Sequence, residues 1–114
     1  MIEYASAELD SVFHALADPT RRALLFGLRE GERSVGELAA PYPISLAAVS
    51  KHLGVLAEAN LISRTRHGRQ VRCRLEPDAL AAASAWIEHY REFWTARLET
   101  LDQLLNQERK SDGR

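Results

Sequence analysis

Cysteine is nearly absent from this chain of 114 residues: Cys73 stands alone. One cysteine cannot form an intramolecular disulfide framework, and the setting expected from it is a reducing cytoplasm. Long apolar runs are missing too, and none approaches the ~18 residues that a membrane span requires. The opening Met1-Ile2-Glu3-Tyr4-Ala5 has neither the basic start nor the apolar stretch of a signal peptide. There is no internal repeat. No nucleophile-base-orienter set, paired-carboxylate site, phosphate loop or cofactor fingerprint is present, and His14, His52, His67 and His89 are scattered over different elements. An enzyme is therefore not expected, nor are catalytic residues or a cofactor.

The composition, 46% hydrophobic and 27% charged, is that of a globular chain. The length fits one domain with a small core, to which a partner chain could add. The formal net charge of −1 argues at first sight against a nucleic-acid partner, but the charge is unevenly placed. From Ser45 to Leu75 there are six basic residues, Lys51, Arg64, Arg66, Arg69, Arg72 and Arg74, against a single acid, Glu58. The rest of the chain holds nine basic and fifteen acidic residues. A basic segment in an acidic body is the charge footprint of a localised phosphate-binding surface; a solvated arginine-rich hairpin is the plainer reading of the same feature.

Helical spacing of Leu9, Val12, Phe13 and Leu16 predicts a first helix over Ser6 to Ala17. Asp18-Pro19 ends it and starts a second, to about Arg29, because Asp is a good N-cap and Pro needs no amide hydrogen at the first helical position. Leu24, Leu25 and Leu28 would face inward, and Gly31 would close the segment. Ser34-Val35-Gly36-Glu37 has the form of a capping box and predicts a short third helix ending near Ala40. Pro41-Tyr42-Pro43 cannot continue it. Ser45 caps a fourth helix, roughly Leu46 to Ala59, so that a short helix, a turn and a second helix form a helix-turn-helix. Val71, Cys73 and Leu75 then alternate with Gln70, Arg72 and Arg74, while Leu61 to Arg66 can supply a partner strand across His67-Gly68-Arg69. This is a β-hairpin directly after the helix-turn-helix, which is a wing. Glu76-Pro77-Asp78 opens a last helix reaching about Gln107, and Glu108 to Arg114 is a polar tail expected to fray.

On the fourth helix, a rotation of ~100° per residue puts Val49, Leu53 and Leu56 on one face and Ala47, Ser50, Lys51 and Gly54 on the other, with Ala48 at a flank. The outward set is small and polar, so the backbone can approach the floor of a major groove ~12 Å wide. Lys51 can neutralise a phosphate, Ser50 can bond a phosphate or base edge, and Ala47 and Ala48 can touch a thymine methyl. Ser45 stands at the helix start. His52, at the edge of the core face, is either structural or phosphate-bonding. At the wing tip, Arg66, His67 and Arg69 can enter a narrow minor groove, where the potential is more negative. Arg64, Arg72 and Arg74 would meet phosphates or acids of their own chain. Ser34 and Arg21-Arg22 lie at helix starts, where amides could bind phosphate; for Arg21 and Arg22 simple capping and surface charge is the favoured reading.

The last helix carries Leu80, Ala83, Ile87, Tyr90, Trp94, Leu98, Leu101 and Leu105 at steps of three and four, close to a heptad seam, widened by Trp86 and Phe93. At ~1.5 Å per residue it exceeds 40 Å, too long for a small body to cover alone. Ile87, Tyr90, Trp94, Leu98, Leu101 and Leu105 are therefore expected at a homodimer interface, which Leu9, Val12 and Phe13 of the first helix would complete.

Three strings carry a family resemblance. Ala15-Leu16-Ala17-Asp18-Pro19-Thr20-Arg21-Arg22 resembles the opening of the ArsR/SmtB family of winged-helix regulators. Ile44-Ser45, Ala48-Val49-Ser50-Lys51-His52-Leu53 and Val55-Leu56 are similar to its recognition helix, and Gly68-Arg69 fits its wing. The resemblance spans roughly Leu9 to Leu105. It implies a homodimer with paired terminal helices that represses transcription and leaves its operator when an effector binds. It does not extend to the metal-sensing branch, whose Cys-x-Cys element is replaced by Glu37-Leu38-Ala39-Ala40. In the last helix Asp78, Glu88 and His89 lack a second spaced histidine, so no metal site is expected. Cys73 cannot form a two-cysteine redox switch alone and reads as a small inward hydrophobe.

The expectation is a mainly α fold with a small β-hairpin, a winged helix-turn-helix over residues 1–107 that dimerises through helices at about 6–17 and 78–107. Its function would be to bind double-stranded DNA as a cytoplasmic regulator away from any membrane, with 46–59 in the major groove and 66–70 in the minor groove of a palindromic operator. A winged helix that binds another protein without sequence-specific DNA binding is the alternative.

Overall fold

The first element, α1 (Ile2–Leu16), buries Leu9, Val12 and Ala15, three residues apart, and half-buries Phe13 and Leu16. The structure, a computed structural model, describes the backbone of residues 2–112 and the side chains of 7–110. At the corner after α1, Asp18 caps α2 (Pro19–Phe26) by accepting from the Arg21 amide at 3.0 Å, with Pro19 in the first turn. The side chains of this corner close the preceding helix as well. Arg21 donates to the carbonyls of Ala15 (2.7 Å) and His14 (2.9 Å), and Arg22 donates to that of Leu16 (2.7 Å). Carbonyls at a helix end lack partners inside the helix, and a cation is favourable there. Arg21 and Arg22 are thus held by α1.

α2 stops three residues short of the expected Arg29. From Leu28 the chain tightens into turns, with the Leu28 and Arg29 amides donating to the carbonyls of Leu25 and Phe26. Leu28 stays buried, and Gly31, at φ +146°, makes a bend that L side chains rarely adopt. A two-residue strand β1 (Arg33–Ser34) follows, then α3 (Val35–Ala39). The capping box forms as expected, with the Glu37 amide donating to Ser34 Oγ (3.1 Å) and the Ser34 amide to Glu37 Oε1 (2.8 Å).

α4 (Leu46–Glu58) starts at Ser45, whose Oγ accepts from the Ala48 amide at 3.1 Å. Val49, Leu53 and Leu56 are fully buried, as their shared face requires. The helix ends at Asn60, left-handed at φ 61°, where the Leu61 amide reaches back to the Leu56 carbonyl. β2 (Ile62–His67) and β3 (Gln70–Leu75) pair antiparallel from Ile62↔Leu75 to His67↔Gln70. Only Gly68 and Arg69 lie between them, and Gly68 at φ +63° occupies the first central turn position, where glycine is favoured.

The hairpin is not alone, as the sequence reading had it. β1 pairs with β3 (Arg33↔Cys73, Ser34↔Arg72), giving a three-stranded sheet of order β1-β3-β2. Two residues are too few to show a period of two. The largest fully buried side chains among the described residues are Leu24, Leu28, Leu53, Leu56, Leu61, Val12, Val49 and Cys73, all essentially inaccessible. Each leucine so buried contributes roughly 1.5–3 kcal/mol before conformational entropy is set against it.

α5 (Pro77–Asp112) is one 36-residue helix. It runs past the expected end at Gln107, because Gln107-Glu108-Arg109-Lys110 are good helix formers and the next glycine is Gly113. Ala83 is its last buried residue among the described side chains, and Ser84–Arg114 forms a second unit by itself.

Candidate nucleic-acid interface

The exposed side of α4 carries Ala47, Ser50 and Lys51, with Ala48 half-buried at the flank and Ser45 exposed at the cap. Beside it lies an open cleft of about 550 Å³. One wall is α4, through Leu46 and Ser50; another is the start of α3, through Ser34, Val35 and Gly36; the third is the wing, through Arg64, Thr65, Arg66, Arg69, Gln70 and Val71. The predicted residues Ser50, Arg66 and Arg69 therefore share one concavity. Ala47 and Lys51 lie outside its lining, on the exposed face of α4, and His67 on the exposed tip, its Nε2 3.3 Å from Thr65 Oγ1.

His52, expected to be either structural or phosphate-bonding, has partners within its own chain. It is half-buried, and its Nδ1 lies 3.5 Å from Arg21 Nη1 and 3.9 Å from Asp18 Oδ2. One step of 100° beyond Lys51 turns it toward the α1–α2 corner, so it ties α4 to the body. The Arg21 amide holds the Asp18 carboxyl below the usual carboxylate range, and the His52 and Arg21 charges add to this.

The cations of the wing divide by partner. Arg72 donates through Nε to Glu32 at 2.8 Å and lies 4.0 Å from Glu37, and Arg74 reaches Glu76 at 3.3 Å. Arg72 holds the Glu32 carboxyl low; the capping bonds from Ser34 do the same for Glu37. Among the described residues no salt bridge involves Lys51, Arg64, Arg66 or Arg69. Arg64, opposite the buried Cys73 in the hairpin register, is itself exposed and lines the cleft, its Nη1 4.0 Å from the position a β-carbon on Gly54 of α4 would take. Sequence reading named Ser34 of the α3 wall as a helix start able to bind phosphate, did not name Leu46, and left Arg64 between two roles.

A helix-turn-helix domain model matches residues 16–65. The chain is 40% identical over 99 residues to the HTH-type transcriptional regulator Rv2034 of Mycobacterium tuberculosis, covering 87% of this chain and 90% of that one. It is 33% identical to the transcriptional repressor SdpR of Bacillus subtilis over 72% of this chain and 91% of that one. An ArsR-like transcriptional regulator from Rhodococcus sp. RHA1 superposes with a TM-score of 0.71 at 34% identity, covering 87% and 93% of the two chains. This chain belongs to the ArsR/SmtB family of winged-helix transcriptional regulators. A homodimeric winged helix-turn-helix DNA-binding domain from Mycobacterium bovis, a possible ArsR-family regulator, is similar at 26% identity and a TM-score of 0.61, over 76% and 82%.

In this ArsR/SmtB chain the residues expected at a dimer interface fall into two groups. Ile87, Tyr90, Trp94, Leu98, Leu101 and Leu105 of α5 are each 43–59% exposed, as are Trp86, Phe93 and Leu104 beside them. Trp86 stacks on Tyr90 at 5.1 Å, and Phe93 meets Trp94 edge-on at 5.7 Å, so the aromatic side chains form a continuous surface. Leu9 and Val12, in contrast, are only 7% and 2% exposed within their own chain. They complete the core of α1, α2 and α4 and have almost no surface left for a partner. Phe13 is half-buried against that core. The family consists of transcription regulators and not of enzymes. Among the described residues no three potential metal ligands cluster, and no helix is long and apolar enough to cross a membrane. Burial pushes the Cys73 thiol above its usual range, which disfavours the reactive thiolate.

Proposed function

We propose that the protein is a cytoplasmic homodimeric repressor that sets α4 in the major groove, and the tip of the wing in the adjacent minor groove, of a palindromic operator. One observation carries this reading: of the six cations between Ser45 and Leu75, Lys51 on the exposed face of α4 and Arg64, Arg66 and Arg69 at the cleft have no acidic partner among the described residues, whereas Arg72 and Arg74, away from the cleft, do. Phosphates would complete the set. Ser50 and Ala47 would lie against base edges, Lys51 and Arg64 would meet backbone phosphates, and Arg66 and Arg69 would follow the minor groove. The apolar face of α5 supports pairing with a second copy, which would repeat the site by two-fold symmetry.

The test is selection from a random duplex pool, combined with sedimentation of the free protein. The expected product is a palindrome with half-sites about one helical turn apart, bound by a dimer. Trp94→Glu with Leu98→Glu should give monomers that keep their helical content and lose tight operator binding. A pool that yields no enriched sequence would favour the alternative, a winged helix whose partner is another protein.

A further inference from the structure

Leu46 begins α4 and is 59% exposed, more than any other large apolar side chain in residues 7–83 except Phe26. Phe26 is covered on one face by the Arg29 guanidinium, 3.9 Å from its ring centre. Leu46 instead lines the cleft, one turn before Ser50 and across from Arg64 and Arg66. A leucine there can neither neutralise a phosphate nor hydrogen-bond a base edge. What it can do is remove an apolar group from water. In the major groove the only such group on the four base-pair edges is the C5-methyl of thymine; adenine, guanine and cytosine present donors and acceptors. Polar edges placed under Leu46 would lose water without gaining a partner, which is unfavourable.

We infer that Leu46 is a specificity-determining residue that reads the methyl group of one thymine in each operator half-site. The inference rests on α4 being the groove-bound helix and adds a base preference to that reading. Ala47, exposed next to it, keeps the backbone near enough for the contact. The same chemistry would accept 5-methylcytosine, which carries its methyl at the same ring position.

Uracil substitution tests this, because it removes the methyl and leaves every hydrogen-bonding group in place. Each thymine of a selected duplex is replaced in turn and the affinity measured. One position per half-site should lose about fourfold, and both together about fifteenfold, the value of one buried methyl per contact. Cytosine at that position should bind weakly and 5-methylcytosine should recover much of the loss. Leu46→Ala should bind the thymine and uracil duplexes equally, while Leu46→Met, apolar and of similar volume, should retain the difference. Circular dichroism should show both variants folded, since the side chain is exposed. If uracil is tolerated at every position, or if Leu46→Ala remains as sensitive as the parent, Leu46 does not read a methyl. Those results leave DNA binding standing, whereas a pool that enriches no duplex overturns both readings.

Discussion

The unpartnered cations give a quantitative expectation for salt. Each phosphate neutralised releases a condensed counterion, so log Kobs falls against log salt with a slope of about −0.9 per contact. Lys51, Arg64, Arg66 and Arg69 supply four contacts per protomer and twice as many in a dimer, giving a slope of about −7. Between 50 and 200 mM salt this amounts to a loss of about four orders of magnitude in affinity. Alanine at any one of the four removes two contacts from the dimer and should flatten the slope by about 1.8 units. Arg72→Ala is the control. Its guanidinium already lies 2.8 Å from Glu32, so the slope should hold within error. Fluorescence anisotropy with a labelled operator at five or six salt concentrations measures all of these. A slope for the parent shallower than about −3, or equal flattening by Arg72→Ala and Arg69→Ala, would refute the division of the cations by partner.

Leu53→Ala removes a side chain that is fully buried between α4 and the rest of the core, and it should cost about 2–5 kcal/mol by urea denaturation; less than 1 kcal/mol would mean the core packs differently. Acid should destabilise the fold through Asp18, Glu32 and Glu37. All three have folded-state pKa values below their ordinary ones, 3.8 for Asp and 4.5 for Glu, so their stabilisation is complete above those values and fades as pH falls through the lowered ones. The midpoint of urea unfolding should therefore drop below about pH 4.5, and Glu32→Gln should flatten that drop; an unchanged profile in this variant would show that the Arg72 contact contributes nothing.

The parts of the fold that were legible beforehand are those specified by neighbours in sequence. The face of Val49, Leu53 and Leu56, the capping box of Ser34 and Glu37, and the alternation of Val71, Cys73 and Leu75 each act over a few residues. What escaped was set by distant partners. β1 is two residues long and is a strand only because Cys73 and Arg72 lie opposite it. Arg72 is silenced by Glu32, forty positions earlier. Periodicity marked Leu9 and Val12 as apolar, but it cannot say whether such a face meets its own chain or another. His52 was ambiguous for a related reason, since Asp18 and Arg21 reach it from a corner more than thirty residues away. On α4 Leu46 falls outside the small and polar outward set, because its exposure is a property of the cleft and not of the local pattern.

A net charge of −1 is compatible with DNA binding because the acids are placed and not merely abundant. Glu32, Glu37 and Glu76 meet the two wing arginines that lie away from the cleft. Without them those arginines would offer phosphates a second surface, and a sequence-independent pose would compete with the specific one. With them, those two arginines are paired while the cations of the α4–wing surface are not, and the acidic remainder of the chain opposes approach of the phosphate backbone from other directions. Like-charge repulsion suppresses wrong encounters more effectively than it weakens the right one. Removing an acid should therefore lower discrimination more than it changes operator affinity. The relevant comparison is Glu32→Gln against the parent, on operator and on random duplex at the same salt concentration. A gain confined to the random duplex follows from this placement of charge; an equal gain on both would mean that Glu32 adjusts overall charge alone.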